Sequence, residues 1–189
     1  MSAPGTTSLE ALTGNYKLDP THSRIGFVAR HAMITKVRGA FNEYEGEGYL
    51  DGADPSKSSV SVTIKTDSID TRNEQRDGHL RGNDFLDIPN YPEIRFVSTA
   101  ARQTGDGEFE ITGDLTIKDV TRQITIPFTF EGAVSDPWGN QRLGFEGSTT
   151  INRSDYGVTW NAALETGGVL VSDKIVLEFE LSVVKVVES

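Results

Sequence analysis

Residues 108–130, EFEITGDLTIKDVTRQITIPFTF, decide the fold class. Phe109, Ile111, Gly113, Leu115 and Ile117 occupy every second position, and Ile124, Ile126, Phe128 and Phe130 do the same after a short polar break. A period of two places all of these on one face, which is the signature of half-buried strands. Pro127 falls on the opposite face, so this second strand is expected to bend or to lack a ladder bond there.

The same alternation recurs outward in both directions. Upstream, Ile25, Phe27, Ala29 and His31 share a face. Val37, Gly39 and Phe41 share another, in a strand read as continuing past Gly46 and Gly48 to Leu50, with the glycines marking a bulge or bend. Val60, Val62 and Ile64 form a third strand and Ile94, Phe96 and Ser98 a fourth, closed by a turn at Thr104-Gly105-Asp106-Gly107. Downstream, Leu143, Phe145, Gly147, Thr149 and Ile151 alternate, as do Ile175, Leu177, Phe179, Leu181 and Val183. Eight strands thus each need cover for one apolar face.

Helices cannot supply that cover. Only residues 71–82 carry a helical signal, through a capping box in which Thr71 caps and Glu74 reaches back. The remaining solutions are a sandwich or a closed barrel, and closure also removes exposed edges. An all-β fold is therefore expected, a two-sheet sandwich or a closed eight-stranded antiparallel β-barrel, with one short helix and a loop near one end. Eight strands leave room either for a filled core or for one small ligand. The inward set mixes eight phenylalanines (Phe27, Phe41, Phe96, Phe109, Phe128, Phe130, Phe145 and Phe179) with small residues such as Ala29, Gly39, Ser98, Gly113, Gly147 and Thr149. Large and small side chains can interdigitate or leave a cavity, and alternation alone leaves both open.

Composition narrows the function classes. The 189 residues are 36% hydrophobic and 24% charged, in keeping with one domain. The formal charge of -10 and the lack of an evident basic cluster argue against nucleic acid and anionic membrane surfaces as partners. There is no cysteine, so thiolate metal sites and disulfides are excluded. Residues 1–14, MSAPGTTSLEALTG, read as a flexible leader without the basic start and apolar run of a signal peptide, and residues 15–189 as the domain. No 18-residue apolar stretch occurs, so stable membrane insertion is not expected and the chain is expected to be cytoplasmic.

Several ordered motifs give the chain a family resemblance. They are Asp19-x-x-His22-Ser23-x-Ile25-x-Phe27, Val37-x-Gly39-x-Phe41, Ser68-Ile69-x-Thr71, Arg76-Asp77-x-His79-Leu80 with Asp84-Phe85-Leu86, Tyr91-Pro92-x-Ile94-x-Phe96, Gly113-Asp114-Leu115-Thr116-Ile117, and Asn152-Arg153-Ser154-Asp155-Tyr156-Gly157. Together, from about Tyr16 to Val184, they resemble the YceI-like polyisoprenoid-binding proteins. The resemblance implies the barrel of the two solutions: a single eight-stranded antiparallel lipocalin-like β-barrel with one short helix and a loop near one end, whose long apolar pore holds an isoprenoid chain, such as a polyprenyl diphosphate or a quinone tail.

An isoprenoid site needs apolar area and few polar atoms, and each buried CH₂ equivalent is worth about 0.8 kcal/mol. The candidate ligand contacts are Phe27, Phe41, Phe96, Leu115, Phe128, Phe130, Phe145 and Phe179 on the strands, with Leu80 and Phe85 from the helix and following loop. His31, inward by alternation, is either a pore-mouth hydrogen-bond partner or a structural histidine. Arg76 either pins the helix through a carboxylate or meets a diphosphate head; His79 and Arg153 are further candidate head-group contacts, Arg153 alternatively bonding loop carbonyls. No spacing of His22, His31 and His79 matches a zinc motif, so neither a metal nor a cofactor is expected. Asp77, Asp84 and Asp87 read as surface or loop carboxylates.

No nucleophile elbow, metalloprotease helix, dinucleotide fingerprint or P-loop is present, so no catalytic residue is assigned and a carrier is favoured over an enzyme. The alternatives are a hydrolase of isoprenoid lipids using His22 or His79 with Asp77, and a quinone-binding accessory of electron transfer. A homodimer is compatible with the sequence.

Overall fold

In this computed structural model the structure describes residues 8–162, 164 and 170–187. Eleven strands run in chain order: β1 (Gly14–Leu18), β2 (Arg24–His31), β3 (Thr35–Phe41), β4 (Tyr44–Leu50), β5 (Ser59–Lys65), β6 (Ile69–Asp70), β7 (Glu93–Gly105), β8 (Glu108–Ile117), β9 (Val120–Ser135), β10 (Gln141–Asn152) and β11 (Lys174–Lys185). One helix, α1 (Glu74–Arg81), lies between β6 and β7.

All pairings are antiparallel, and they close into a ring of eight: β1-β4-β5-β7-β8-β9-β10-β11, with β11 returning to β1. β2 and β3 lengthen that ring at one end. β2 resumes the path of β1 after a 3₁₀ turn at Pro20–His22 and lies on the first half of β11, with Phe27 opposite Leu177, while the second half of β11 pairs with β1. β3 runs on toward β4, and the two-residue β6 pairs with its end. The expected strand from Val37 to Leu50 is thus broken at Asn42-Glu43. Gly46 and Gly48 stay in register opposite Val62 and Val60, so they do not mark the break.

β1 escaped the sequence reading because GNYKL offers only Tyr16 and Leu18, too few apolar positions for a period. The ordered chain also begins before Asn15. Ser8 caps a 3₁₀ turn, Leu9–Leu12, that buries Leu12 to 1% exposure. Of the residues 1–14 read as a flexible leader, 8–14 form this turn and the start of β1, where an apolar side chain completes a core; residues 1–7 lie outside the described ones. Leu12, Leu143 and Tyr16 form a compact cluster at this end of the barrel, and the Tyr16 hydroxyl donates to Leu12 O at 2.6 Å.

α1 begins two residues later than the capping box suggests. Asn73 caps it, its side-chain oxygen accepting from Arg76 N at 3.0 Å, with Glu74 in the first turn and Arg81 in the last, where charges suit the helix dipole. Thr71, the expected cap, is instead buried in a side-chain network.

Candidate functional site

The barrel interior holds two abutting chambers. The wider, about 220 Å³, lies toward α1 and is walled by Phe27, Phe41, Phe96, Leu115, Phe128 and Phe179, with Leu80 and Phe85 from α1 and its loop. The narrower, about 160 Å³, lies toward the Leu12 cluster and is walled by Tyr16, Leu18, Phe109, Leu143, Phe145 and Val183. Val60, Val62, Phe128 and Leu181 border both, which makes them a waist between the two.

Glycine keeps this interior open. Phe27 faces Gly39 across the β2–β3 ladder, and a methyl at Gly39 would sit 2.3 Å from the Phe27 ring. Phe96 lies over Gly113 and Phe128 over Gly147 in the same way, each ring 2.6 Å from the position of such a methyl. The rings therefore lie flat on the wall in seats that only glycine leaves free, instead of meeting across the centre. Alternation showed both residue types inward without showing that they pair.

Two expected wall residues lie elsewhere. Phe130 borders neither chamber; it stacks on Phe145 with ring centroids 5.4 Å apart, beside the Leu12 cluster. His31 is exposed at the end of β2, where the strand has left the barrel wall, so alternation no longer points it inward. Ser98 and Thr149 also border neither chamber: Val60 N donates to the Ser98 hydroxyl at 2.8 Å beside a bulge, and Thr149 donates to Thr125 O at 3.2 Å. Leu9, Tyr16 and Leu18 are lining residues that the sequence reading missed, Leu9 because it falls in the segment read as a leader and the other two for the same reason as β1.

The α1 end is closed by polar pins around an aromatic lid. Arg153 is 7% exposed and donates to four backbone carbonyls: Nε to Ser172 at 2.8 Å, Nη1 to Val158 at 2.8 Å and Trp160 at 2.9 Å, and Nη2 to Val171 at 3.3 Å. Of its two expected roles, carbonyl bonding is the one in place. Burial pushes its pKa down, and Asp173 opposes that shift. Among the described residues Arg76 meets no carboxylate; its Nε donates to Thr71 Oγ1 at 2.7 Å and its Nη2 to Thr71 O at 2.6 Å. Thr71 donates in turn to Asp77 through both its backbone N and its hydroxyl. Asp77 is 6% exposed, so its expected surface placement is corrected: it is the buried acceptor that ties the approach segment to α1.

His79 bonds Asp84 at 2.9 Å and sets its ring edgewise against Trp160 (centroids 4.8 Å apart) and Phe85 (5.0 Å). This geometry suits a lid, with Trp160 an unanticipated member. Tyr156, buried below it, has a hydroxyl with no hydrogen-bond partner among the described residues. Burial, with Asp155 adding to it, pushes its pKa up to about 12, so the group stays neutral. Neither Arg153 nor Tyr156 turns a polar atom onto the wider chamber, whose wall is carbon.

The opposite end carries a charge cluster outside its apolar plug. Arg142 contacts Asp19 at 2.7 Å and Asp136 at 3.0 Å. Burial alone would raise the pKa of Asp19, but hydrogen bonds from Thr21, Arg142 and His22 outweigh it and hold the carboxyl well below its ordinary range. Among the described residues no group of His, Asp and Glu converges in a way that would hold a metal ion, and no helix is long and apolar enough to cross a membrane.

The closed antiparallel barrel, the apolar bore and the single lid helix define the class of protein: a lipocalin-like barrel with an interior built for apolar matter. Within that class, the chain belongs to the YceI-like family, whose domain matches residues 16–183. A UPF0312 protein of Pseudomonas savastanoi pv. phaseolicola is 39% identical over 151 residues, 79% of each chain. BcnA of Burkholderia cenocepacia superposes with a TM-score of 0.77 at 27% identity, covering 87% of this chain and 98% of that one. A polyisoprenoid binding domain from Saccharophagus degradans shares the fold with a TM-score of 0.67 at 15% identity, covering 90% and 98%.

Proposed function

We propose that the chain is a carrier that holds one long-chain apolar lipid, a polyisoprenoid, in its barrel with the tail running through both chambers. The observation that carries this reading is the continuous carbon wall on either side of the waist. Each chamber alone is below the roughly 300–1,000 Å³ usual for small-molecule sites, which favours a slender cargo that spans both over a compact one in either. The S. degradans domain that shares the fold is a polyisoprenoid binding domain, which supports the ligand class. With no polar handle on the wall of the wider chamber, the tail supplies the affinity, and a polar head is left for the rim.

Mass spectrometry of solvent extracts from protein purified without detergent tests this. The expected result is a prenyl lipid near one per chain. Protein that emerges empty, and that also fails to take up added prenyl lipids, would refute the carrier reading.

A further inference from the structure

The β2–β3 hairpin concentrates charge that its sequence spreads out. Residues 24–41 contain Arg24, Arg30, Lys36 and Arg38 and no Asp or Glu, in a chain whose net charge is -10. Over so many residues this is no basic run, which is why the sequence shows no cluster. Pairing changes that. Arg30 stands opposite Lys36, and Arg38 opposite Val28, two positions along the ladder. Phe27 and Ala29 border the wider chamber, so the alternate positions that carry Arg30, Lys36 and Arg38 face outward, and all three are exposed. Arg24 has Glu178 at 3.7 Å; among the described residues the other three have no carboxylate at ion-pair distance. Like charges directly opposite each other weaken a β ladder, so stability does not account for the arrangement.

The tip adds apolar surface. Ala32 and Met33 turn with positive φ, 52° and 61°, in a bend that normally favours Asn and Gly, and the side chains displayed there are Met33 at 55% and Ile34 at 78% exposure. The hairpin stands at the rim of the wider chamber: Ala32 N donates to Leu170 O at 2.7 Å, and His31 bridges Val171, a residue of the chamber wall. An apolar tip backed by cations that have no carboxylate partner among the described residues complements a bilayer with anionic head groups, where hydrocarbon lies beneath negative charge. The β9–β10 tip provides an internal contrast. Trp138 is 81% and Val134 62% exposed there, but the nearby charges are Glu131, Asp136 and an Arg142 already engaged by two carboxylates.

We propose that the β2–β3 hairpin docks the protein on anionic bilayers, with Met33 and Ile34 entering the interface and Arg30, Lys36 and Arg38 meeting lipid phosphates, so that the rim of the wider chamber faces the membrane. Docking needs no cargo, and it stands or falls separately from the carrier reading.

Flotation of the full chain with phosphatidylcholine vesicles, with and without phosphatidylglycerol, tests the proposal. Wild type is expected to float with phosphatidylglycerol vesicles at low salt and to be released as salt rises. The triple variant Arg30→Gln/Lys36→Gln/Arg38→Gln should lose at least about tenfold in partitioning, Met33→Ser/Ile34→Ser should also lose binding, and Trp138→Ser should not. All changes are on exposed side chains, and circular dichroism checks that each variant is folded. Unbound wild type, unchanged binding by the folded triple variant, or an equal loss in Trp138→Ser would overturn the proposal. So would release by inorganic diphosphate beyond that by sodium chloride of equal ionic strength, which would mark a phosphate site instead of a bilayer surface.

Discussion

The two ends of the barrel are closed by opposite kinds of chemistry. At the narrow end a plug of Leu12, Tyr16 and Leu143 is almost wholly carbon, and the charged cluster of Asp19, Arg142 and Asp136 stands outside it. At the wide end the pins are polar and buried: Arg153 on four carbonyls, and Asp77 on Thr71, with aromatic rings laid over the opening. An apolar plug resists opening in proportion to the area it buries, and here it has one hydrogen bond to break when it moves, from the Tyr16 hydroxyl to Leu12 O. A polar pin fixes one geometry, and breaking it exposes every partner at once. The difference assigns rigidity to the lid frame and graded tolerance to the plug.

The largest test of that contrast is Arg153→Gln. Loss of a buried guanidinium strands carbonyl oxygens of Ser172, Val158, Trp160 and Val171, so urea unfolding is expected to show a loss of about 3 kcal/mol. A loss below about 1 kcal/mol would show that the lid frame does not depend on this pin. Next in size is Leu12→Ala, expected to cost roughly 2–3 kcal/mol by the same measurement while lipid content is retained, because the chamber beyond the plug only widens. Complete loss of lipid from folded Leu12→Ala would make the plug the working gate and reverse the comparison.

The smallest effect is in the acid limb. Asp19 and Asp136 have folded-state pKa values held below the ordinary carboxylate range, in each case with burial working the other way and hydrogen bonds, including those from Arg142, prevailing. Groups depressed on folding contribute stability above their unfolded pKa, near 3.9, and lose it as pH falls through the folded value. Arg142→Gln should therefore lower stability at neutral pH, with the gap to wild type shrinking as the carboxylates protonate. Unfolding curves followed from about pH 7 down to about pH 1, through the folded values of both carboxylates, check this; a gap that stays constant over that whole range would mean that Arg142 acts through packing alone.

The strands with a full period were legible, and so was the barrel, because eight apolar faces with one helix leave few ways to hide them. What escaped was set by tertiary context. β1 has too few apolar residues to show a period, yet it closes the ring. His31 obeys the alternation of its strand but lies beyond the point where that strand meets the barrel. Asp77 is an acidic residue in a polar helix, and nothing local separates it from Asp84; only the partners Thr71 N and Oγ1 bury it. Arg76 was expected to find a carboxylate and found a threonine. Pin partners and cross-strand charge depend on which segments meet, and a single sequence read along its length does not display that.

The seats under Phe27, Phe96 and Phe128 have a further consequence. The calibre of the bore is recorded in atoms that are missing, since a single methyl at residue 39, 113 or 147 would lift a ring off the wall. They stand at two levels: the first two rings border the wide chamber alone, and Phe128 stands at the waist. The atoms nearest to a methyl at Gly39 all belong to the Phe27 ring, whereas at Gly113 and Gly147 a backbone oxygen, Val97 O or Pro127 O, is among them at 2.6 Å. The barrel thus carries a built-in set of throttles, one of them compliant and two of them stiff.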